Sequence, residues 1–287
     1  MHYLGFDIGG SSIKAVLIKD KKIIKSRIEK LPSDFKSLLK SIAEIKNKLA
    51  SEIDSNKIGG IGFAVAGAHD SKRENLLISP NIALFTNNQP LKKIFRKALA
   101  PHTVKIENDC NCFLVAEKEI GQAKNLDSAY YLTLGTGVGG ALMIDKKLVA
   151  GYSGAAGEVG HMIIDLQKNL SLENLASSKF IKKDLGLKDT SGIIDKALAG
   201  DKKIQKSLRK LGKHLGVGVA NIINIIDPQA IIISGGLAKA KKYILPEVKR
   251  STQKFVMSPQ AKKTKIIFSR LGRCGGAIGA ALLFDSK

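Results

Sequence analysis

The sequence has no tryptophan, and aromatic residues make up only 5% of its 287 residues. It carries a formal net charge of +22, from 47 basic and 25 acidic residues, but only seven of the basic residues are arginine. Proteins that bind nucleic acids favour arginine for clamping phosphates and aromatic rings for stacking on bases. The excess charge therefore indicates a lysine-rich surface that attracts small anions, and we expect no nucleic-acid partner.

Cysteine and long apolar segments are also scarce. Three cysteines are too few, and odd in number, for a disulfide framework. No segment approaches the roughly 20 apolar residues of a membrane span, because Asp227 and Pro228 interrupt the best candidate. A strand-like pattern begins at Tyr3 and leaves no room for a signal peptide. We expect a cytoplasmic protein with no membrane partner.

Glycine, by contrast, occurs 28 times, and one glycine-rich segment has the spacing of a dinucleotide-binding turn. Gly135, Gly137 and Gly140 in LGTGVGG spell G-x-G-x-x-G. A dinucleotide site needs a helix directly after these glycines, because the amides at the helix N-terminus hold the pyrophosphate. The residues that follow, ALMID, read instead as a strand, which argues against an NAD-dependent oxidoreductase.

A segment near the N-terminus repeats this pattern. Residues 3–24 and residues 131–149 both read as strand, glycine-rich turn, strand, Asp-Lys-Lys turn and strand, with the Asp-Lys-Lys triplets 125 residues apart. Glycine-rich turns expose backbone N–H groups that can bind anions. Two such turns facing each other across a cleft could hold a triphosphate, and in this the pattern resembles the actin-like ATPase and sugar-kinase superfamily.

The rest of the pattern completes the predicted fold. An amphipathic helix over residues 34–51, buried strands at 58–67 and 103–107, and a long helix that stops at Asp227 indicate two α/β halves. We expect an α/β, two-lobed actin-like ATPase (ribonuclease H-like) fold with a duplicated β-hairpin phosphate motif and an interdomain cleft. The predicted domains are a small α/β domain, 1–108, a large one, 109–271, and a C-terminal helix, 272–287, that packs back on the first.

Seven motifs, in order along nearly the whole chain, resemble those of the ROK family of sugar kinases and sugar-responsive repressors. Each motif alone is weak evidence, whereas seven at sensible spacings are specific. They are DIGGSSIK (7–14), GFAVAG (62–67), ENDCNC (107–112), LGTGVGGAL (134–142), GEVGHM (157–162), DPQAIIISGGL (227–237) and GAIGAALL (276–283). The resemblance implies phosphoryl transfer from ATP with Mg²⁺, which depends on phosphate donors, a divalent metal and a base near the acceptor hydroxyl.

The resemblance implies a nucleotide site that uses both glycine turns. Asp7 would hold Mg²⁺ directly or through water, and Ser11 stands where the family usually has threonine, so that the hydroxyl is kept. Gly235 and Gly236 resemble the loop on the adenosine side. The implied ATP-binding residues are Asp7, Gly9, Gly10, Ser11, Lys14, Gly135, Thr136, Gly137, Gly235 and Gly236.

On the sugar side, the resemblance implies that Asp109 is the general base, which accepts the proton of a sugar hydroxyl as that oxygen attacks the γ-phosphorus. The residue types leave a structural interpretation open as well, because Asn108 and Asp109 are common N-caps for a helix that starts near residue 110. The implied sugar-binding residues are Gly67, Asn81, Asn108, Glu158, His161 and Glu173.

One segment departs from the family pattern. Between His161 and Glu173, many ROK kinases carry a C-x-C-G-x-x-G-C cluster that binds structural Zn²⁺ together with the histidine. This chain has MIIDLQKNLSL there, without a cysteine, and a structural zinc site needs those thiolates. We expect no zinc, and the shorter segment puts in doubt how rigidly Glu173 is held.

The sequence thus predicts an ATP-dependent kinase that phosphorylates a glucose-like hexose at its 6-hydroxyl. A kinase for N-acetylmannosamine or N-acetylglucosamine and a non-catalytic sensor of sugar or ATP are the alternatives. A repressor would carry a winged helix-turn-helix before the DIGG motif, and this sequence has six residues there. The sugar, the donor (ATP or polyphosphate) and the oligomer stay open, and family analogy suggests a homodimer or a larger homo-oligomer.

Overall fold

A computed structural model describes residues 1–285 of the chain. It divides into two compact units. The first unit contains Met1–Asn125, Leu148–Ala156 and the described residues from Arg270 onward, and the second contains Leu126–Lys147 and Gly157–Ser269. No helix among the described residues is both long and apolar enough to span a membrane.

The chain alternates between strands and helices in each unit. The strands are β1 (His2–Ile8), β2 (Ser12–Lys19), β3 (Lys22–Lys30), β4 (Ile58–Val65), β5 (Ala68–His69), β6 (Leu76–Ile78), β7 (Val104–Asn108), β8 (Ala129–Leu134), β9 (Val138–Ile144), β10 (Lys147–Leu148), β11 (Ile163–Asp165), β12 (Leu170–Ser171), β13 (Ala230–Ser234) and β14 (Lys265–Phe268). The helices are α1 (Phe35–Leu49), α2 (Leu91–Ala98), α3 (Asp109–Ile120), α4 (Leu172–Ala176), α5 (Ser178–Asp184), α6 (Ile193–Leu198), α7 (Lys202–Ile226), α8 (Lys241–Phe255) and α9 (Gly275–Leu282).

The first unit is built on a five-stranded sheet of order β3-β2-β1-β4-β7. The hairpin strands β1, β2 and β3 pair antiparallel, and β4 and β7 add in parallel to β1. Alternate residues of β2 point to opposite faces of the sheet, so Leu17 joins the core that includes α1 while Val16 and Ile18 join the core that includes α9. The predicted helix over 34–51 is α1, which Asp34 caps by accepting a hydrogen bond from the Ser37 N–H.

Helix α9 packs against this sheet at unusually close range. Gly62 of β4 lies against the Ala280 carbonyl, where a Cβ would overlap the helix backbone. On its other side, Gly279 of α9 lies equally close to the Cys112 carbonyl of α3. The sheet, α9 and α3 therefore form a tightly stacked layer, which fixes the start of α3 relative to the strand ends.

The second unit repeats the arrangement with a sheet of order β10-β9-β8-β13-β14. β8 and β9 pair antiparallel, and β13 and β14 are parallel to β8. The long helix α7 buries the apolar face that the sequence predicted, including Leu208, Leu211 and Leu215. It ends at Asp227 in the left-handed conformation, with φ of 49°.

The two Asp-Lys-Lys turns have the same backbone geometry. Asp20 and Lys21 have φ of 49° and 60°, and Asp145 and Lys146 have φ of 50° and 60°. Two successive residues with positive φ form the tight turn that matches the twist of a β-hairpin. The predicted duplicated hairpin and the α/β class are therefore confirmed.

The compact units do not follow the predicted domain boundary at residue 108. Helix α3 belongs to the first unit, because it packs against α9, whereas the sequence placed residues 109–271 in one domain. The division into 1–108, 109–271 and a helix over 272–287 stays a prediction, and residues 286 and 287 lie outside the described residues. The helix observed in that last segment is α9.

Candidate active site

The first glycine turn joins β1 to β2 beside a buried ion pair. Asp7 and Lys14 are cross-strand partners in this hairpin, and Lys14 Nζ donates a hydrogen bond to Asp7 Oδ2 over 3.1 Å. The Asp7 side chain is only 6% exposed. Burial raises the pKa of the Asp7 carboxyl above its usual value, and the Lys14 ammonium acts in the opposite direction. A second cation would offset the remaining cost of burying this carboxylate.

The first glycine turn also lies close to Asn81, a predicted sugar-binding residue. The Gly9 N–H donates to the Ser12 carbonyl over 3.1 Å and closes the turn. Gly10 lies against the segment after β6, where a Cβ would come within 2.7 Å of the Asn81 carbonyl oxygen. Ser11 and Asn81 are both exposed. Gly10 and Asn81, which the sequence assigned to nucleotide and sugar, are therefore neighbours.

The end of β7 and the start of α3 carry the predicted catalytic residue. Asn108 is the N-cap of α3, because its Oδ1 accepts the N–H groups of Cys110 and Asn111 over 2.8 and 3.3 Å. Its Nδ2 donates to the Gly67 carbonyl over 3.1 Å. Asp109 follows at the first helical residue and is partly exposed. Of the two residues that the sequence left open as N-caps, Asn108 takes that role.

Three carboxylates of the first unit act electrostatically on one buried thiol. Burial raises the pKa of the Cys112 thiol well above its usual value, and the negative charges of Glu107, Asp109 and Asp7 add to that effect. The predicted metal ligand, Asp7, and the predicted base, Asp109, therefore both influence the same buried side chain. The sequence predicted neither this shared effect nor the involvement of Glu107.

Glu107 belongs to a buried network that the sequence analysis missed. Its carboxylate forms an ion pair with Arg73, whose Nε lies 2.9 Å from Oε1 and 3.0 Å from Oε2. Both side chains are about nine-tenths buried, at 11% and 12% exposure. Glu107 could have been identified from the sequence, because it belongs to the ENDCNC motif. Nothing in the sequence distinguishes Arg73 from the other six arginines.

In the second unit, Gly135 of the second glycine turn and Gly236 after β13 both face space that the protein does not fill. The Gly135 N–H donates to the Gly137 carbonyl over 3.0 Å. A Cβ on Gly135 or on Gly236 would meet no atom within 4 Å. Gly235, with φ of 95°, lies directly against Leu134. Packing thus explains glycine at 235 but not at 135 or 236, where a bound ligand would explain it.

Glu173 does not point into open space. Its Oε2 accepts the Val138 N–H over 3.1 Å and lies directly over Gly137, while its Oε1 accepts from Lys179 Nζ over 2.6 Å. The predicted sugar ligand is therefore also a support of the second glycine turn. Its contact with a sugar stays a prediction.

The segment that contains Glu158 and His161 packs against the start of β9, at Val138. Gly160 packs directly on the Val138 carbonyl, where a Cβ would overlap it. Tyr130 fixes the start of the segment, because its hydroxyl donates to the Gly157 carbonyl over 2.9 Å. The side chains of Glu158 and His161 are exposed. Val138 therefore contacts both Glu173 and the segment that carries Glu158 and His161.

The segment that replaces the family's cysteine cluster is a short hairpin. Strands β11 and β12 pair antiparallel, and the Leu172 N–H donates to the Met162 carbonyl over 2.8 Å. Ser171 and Asn174 then form a reciprocal capping box at the start of α4. Within residues 1–285, no three His, Cys, Asp or Glu side chains gather as a metal site. This segment lacks the cysteine ligands that a structural zinc site needs. That the chain binds no zinc stays a prediction.

The two glycine turns are suited to phosphates, and Asp7 is suited to a shared metal ion. Magnesium is commonly held by one or two carboxylates together with substrate phosphates, without a cage made of protein alone. A single buried carboxylate beside a glycine turn fits that requirement. The donor set therefore fits Mg²⁺ that arrives with a nucleotide.

Known proteins resemble this chain along its whole length. It is 30% identical to the N-acetyl-D-glucosamine kinase of Vibrio atlanticus (strain LGP32), over 98% of this chain and 99% of that protein. It is 28% identical to the xylose repressor of Bacillus subtilis (strain 168), over 96% of this chain and 75% of the repressor. A ROK family glucokinase from Streptomyces griseus, solved in complex with glucose and AMPPNP, has the same fold, with a TM-score of 0.86, 24% identity and 99% of both chains covered.

These similarities confirm the predicted fold. The two-sheet α/β architecture is that of the ROK sugar kinases, which have the actin-like ATPase fold. The model of the ROK family matches residues 3–287. Because that match spans nearly the entire chain, and a kinase relative aligns over almost the full length of both proteins, this protein belongs to the ROK family.

Proposed function

We propose that this protein is a sugar kinase that transfers the γ-phosphoryl group of ATP to the 6-hydroxyl of a glucose-like hexose. The observation that carries the proposal is the start of α3, where Asn108 caps the helix and holds the Gly67 carbonyl while Asp109 follows at the first helical residue. A residue at that position has its backbone direction fixed by the cap. Accurate placement is what a general base needs most.

In the proposed reaction, Asp109 accepts the proton of the sugar hydroxyl as its oxygen bonds to the γ-phosphorus. The bond between that phosphorus and the bridging oxygen breaks at the same time, and ADP leaves. Asn108, Gly67 and Asn81 would orient the sugar from the first unit. Glu158, His161 and Glu173 would bind its other hydroxyls, since carboxylates accept and imidazoles accept or donate hydrogen bonds in fixed directions.

The glycine turns would hold the phosphates. Backbone N–H groups at Gly10 and Gly137 and the hydroxyls of Ser11 and Thr136 would be donors for phosphate oxygens, and Lys14 adds a positive charge. The N–H groups of Gly9 and Gly135 close the two turns, and the missing side chains there would let the phosphates approach the backbone. Gly235 and Gly236 would leave room for the adenosine. Asp7 would hold Mg²⁺, which neutralises phosphate charge when it is bound.

One observation favours a second candidate, a kinase for N-acetylated amino sugars. The Vibrio atlanticus relative, at 30% identity over nearly the full length of both proteins, is an N-acetyl-D-glucosamine kinase. Its reaction would use the same base and the same glycine turns and differ only in the sugar contacts. A substrate panel separates the two candidates.

The test measures ADP release with Mg-ATP across glucose, mannose, N-acetylglucosamine and N-acetylmannosamine, for the wild type and for Asp109→Asn. We expect sugar-dependent release that falls about 10²- to 10⁴-fold in kcat in the variant, the usual contribution of a general base. Asp145→Asn is the matched control. It makes the same change in an exposed turn at φ of 50°, which asparagine tolerates.

Three results would contradict the proposal. Sugar binding without sugar-dependent ADP release in the wild type would identify a sensor, as the similarity to a repressor would then suggest. Full activity in Asp109→Asn would show that another group is the base. A preference for the N-acetylated sugars in kcat/KM would replace the glucose-like substrate by the second candidate.

A further inference from the structure

We propose that Arg73 is a positioning residue that holds the base-bearing start of α3 through Glu107. The inference rests on the proposed function, because it concerns the placement of Asp109. Arg73 lies in the segment between β5 and β6, 34 residues from its partner Glu107. Its hydrogen bonds go to the Glu107 carboxylate and to the carbonyls of Asp70 and Gly154, and Glu107 provides a route to the start of α3.

The first step is the Arg73–Glu107 ion pair. The Nε group lies within hydrogen-bond distance of both carboxylate oxygens, at 2.9 and 3.0 Å, and both side chains are about nine-tenths buried. A buried carboxylate is costly unless it is paired and hydrogen-bonded. Arg73 therefore supplies the paired positive charge that the buried Glu107 carboxylate needs.

The second step runs from Glu107 to the helix cap. Glu107 Oε1 accepts the Asn108 N–H over 2.8 Å and Asn111 Nδ2 over 2.9 Å. These two residues stand on either side of Asp109 and Cys110. The carboxylate thus fixes the N-cap and the first turn of α3 together, and Asp109 is placed between the two fixed points.

Arg73 is itself fixed by two backbone carbonyls. Its Nη1 donates to Asp70 over 3.1 Å and to Gly154 over 3.3 Å. Gly154 has φ of 89°, and a Cβ there would lie 2.5 Å from Nη1, so a side chain at 154 would displace the guanidinium. One side chain therefore joins the β5–β6 segment, the segment after β10 and the end of β7.

The protein keeps this arrangement at a cost in stability, which is typical of functional sites. Arg73 has φ of 57°, in the left-handed region that favours glycine. Arg73 Nη2 and Asn111 Oδ1 are buried and have no hydrogen-bond partner among residues 1–285. Strain and unsatisfied polar atoms at one cluster indicate selection for placement of the groups around it.

The test uses Arg73→Lys, because a variant without a positive charge would leave Glu107 buried and unpaired and could fail to fold. Lysine keeps the charge, but its single ammonium group cannot reach Glu107, Asp70 and Gly154 together in the fork geometry of arginine. The matched control is Arg96→Lys, on the exposed side of α2. Both variants are first compared with the wild type by thermal unfolding.

The first readout needs no activity. Hydrogen exchange of the Asn108, Cys110 and Asn111 amides in the absence of substrates should be faster in Arg73→Lys than in the wild type, while the amides of α7 exchange unchanged. Equal exchange at the cap would overturn the proposal. If the wild type phosphorylates no sugar, the proposed function fails, and this readout alone decides whether Arg73 holds the cap.

The second readout is a double-mutant cycle with Asp109→Asn. We expect Arg73→Lys to lower kcat about 10- to 100-fold, as small misplacements of catalytic groups do, with the KM for ATP nearly unchanged. In the Asp109→Asn background, the same substitution should have little further effect, because residues that act as a unit are not additive. Independent, additive losses or an unchanged kcat would show that Arg73 does not act through Asp109.

Discussion

Gly135 and Gly137 stand two residues apart and are glycine for different physical reasons. A Cβ on Gly137 would overlap the Glu173 carboxylate, so packing inside the protein requires the glycine. A Cβ on Gly135 would meet nothing within 4 Å, and its backbone does not require positive φ. If the turn binds phosphate, a methyl group at position 135 should therefore disturb the bound ligand and leave the protein's own packing intact.

We therefore expect Gly135→Ala to leave the melting temperature unchanged and to raise the KM for ATP by about tenfold or more, a loss of about 1.4 kcal/mol of binding. Gly137→Ala should instead lower stability by about 1–3 kcal/mol, because it overpacks the Glu173 contact. Thermal unfolding and ATP kinetics of the two variants check this. An unchanged KM for ATP in Gly135→Ala would remove the turn from the nucleotide site.

The residues of the site differ in how far the sequence could predict them. Asn108 and Asp109 were predicted as a pair, since their types suit both a cap and a base, and the structure assigns the cap to Asn108. Arg73 could not be predicted, because its meaning depends on a partner 34 residues away in the chain. Residue type carries information about chemistry but not about distant neighbours.

At the scale of elements, local hydrogen bonds form the segment between His161 and Glu173, for which the family resemblance had suggested a zinc site. Hairpin β11–β12 leads into α4, and the Ser171–Asn174 capping box begins that helix two residues before Glu173. A helix of five residues is not stable by itself. We therefore expect the cap to help orient Glu173, together with its bonds to the Val138 N–H and Lys179.

We expect Ser171→Ala to lower the free energy of unfolding by about 1 kcal/mol, the usual value of an N-cap, and to raise the KM for the sugar. Ser171→Thr keeps a hydroxyl cap and should behave nearly as the wild type. Denaturant unfolding and sugar kinetics measure the two effects. A Ser171→Ala protein that matches the wild type in both would show that α4 is held by packing alone.

The helices and strands themselves were largely predictable. The helix α1, the strand β4 and the long helix α7 follow from apolar periodicity, and the two Asp-Lys turns follow from turn chemistry. Hairpin β11–β12 was missed because its strands have three and two residues, too few to show an alternating pattern.

At the scale of the whole molecule, the dominant property is the net charge of +22. The field of such a surplus raises the local concentration of anions around the protein. ATP is an anion and hexoses are neutral, so the two substrates should respond differently to salt. Screening shortens the reach of the field from about 10 Å at 0.1 M salt to about 3 Å at 1 M.

We therefore expect the KM for ATP to rise several-fold between 0.1 and 1 M potassium chloride, while the KM for the sugar stays nearly constant. The measurement compares both constants at each salt concentration, with the other substrate saturating. The kcat serves as the control, because a general effect of salt on folding or catalysis would lower it. Equal changes in both KM values would show that the lysine surplus does not attract ATP and serves only solubility.

The sequence by itself determined the family, the α/β class, the repeated hairpin and the types of residue available for phosphate, metal and proton transfer. These properties are built from local patterns, since each strand or helix period, turn and motif is read from neighbouring residues, even where several motifs are then compared along the chain. The tertiary structure alone decided that Arg73 pairs with Glu107, that Glu173 supports the turn at Gly137, and that α3 packs with α9 in the first unit. Each of these depends on contacts between distant parts of the chain, which local patterns do not encode.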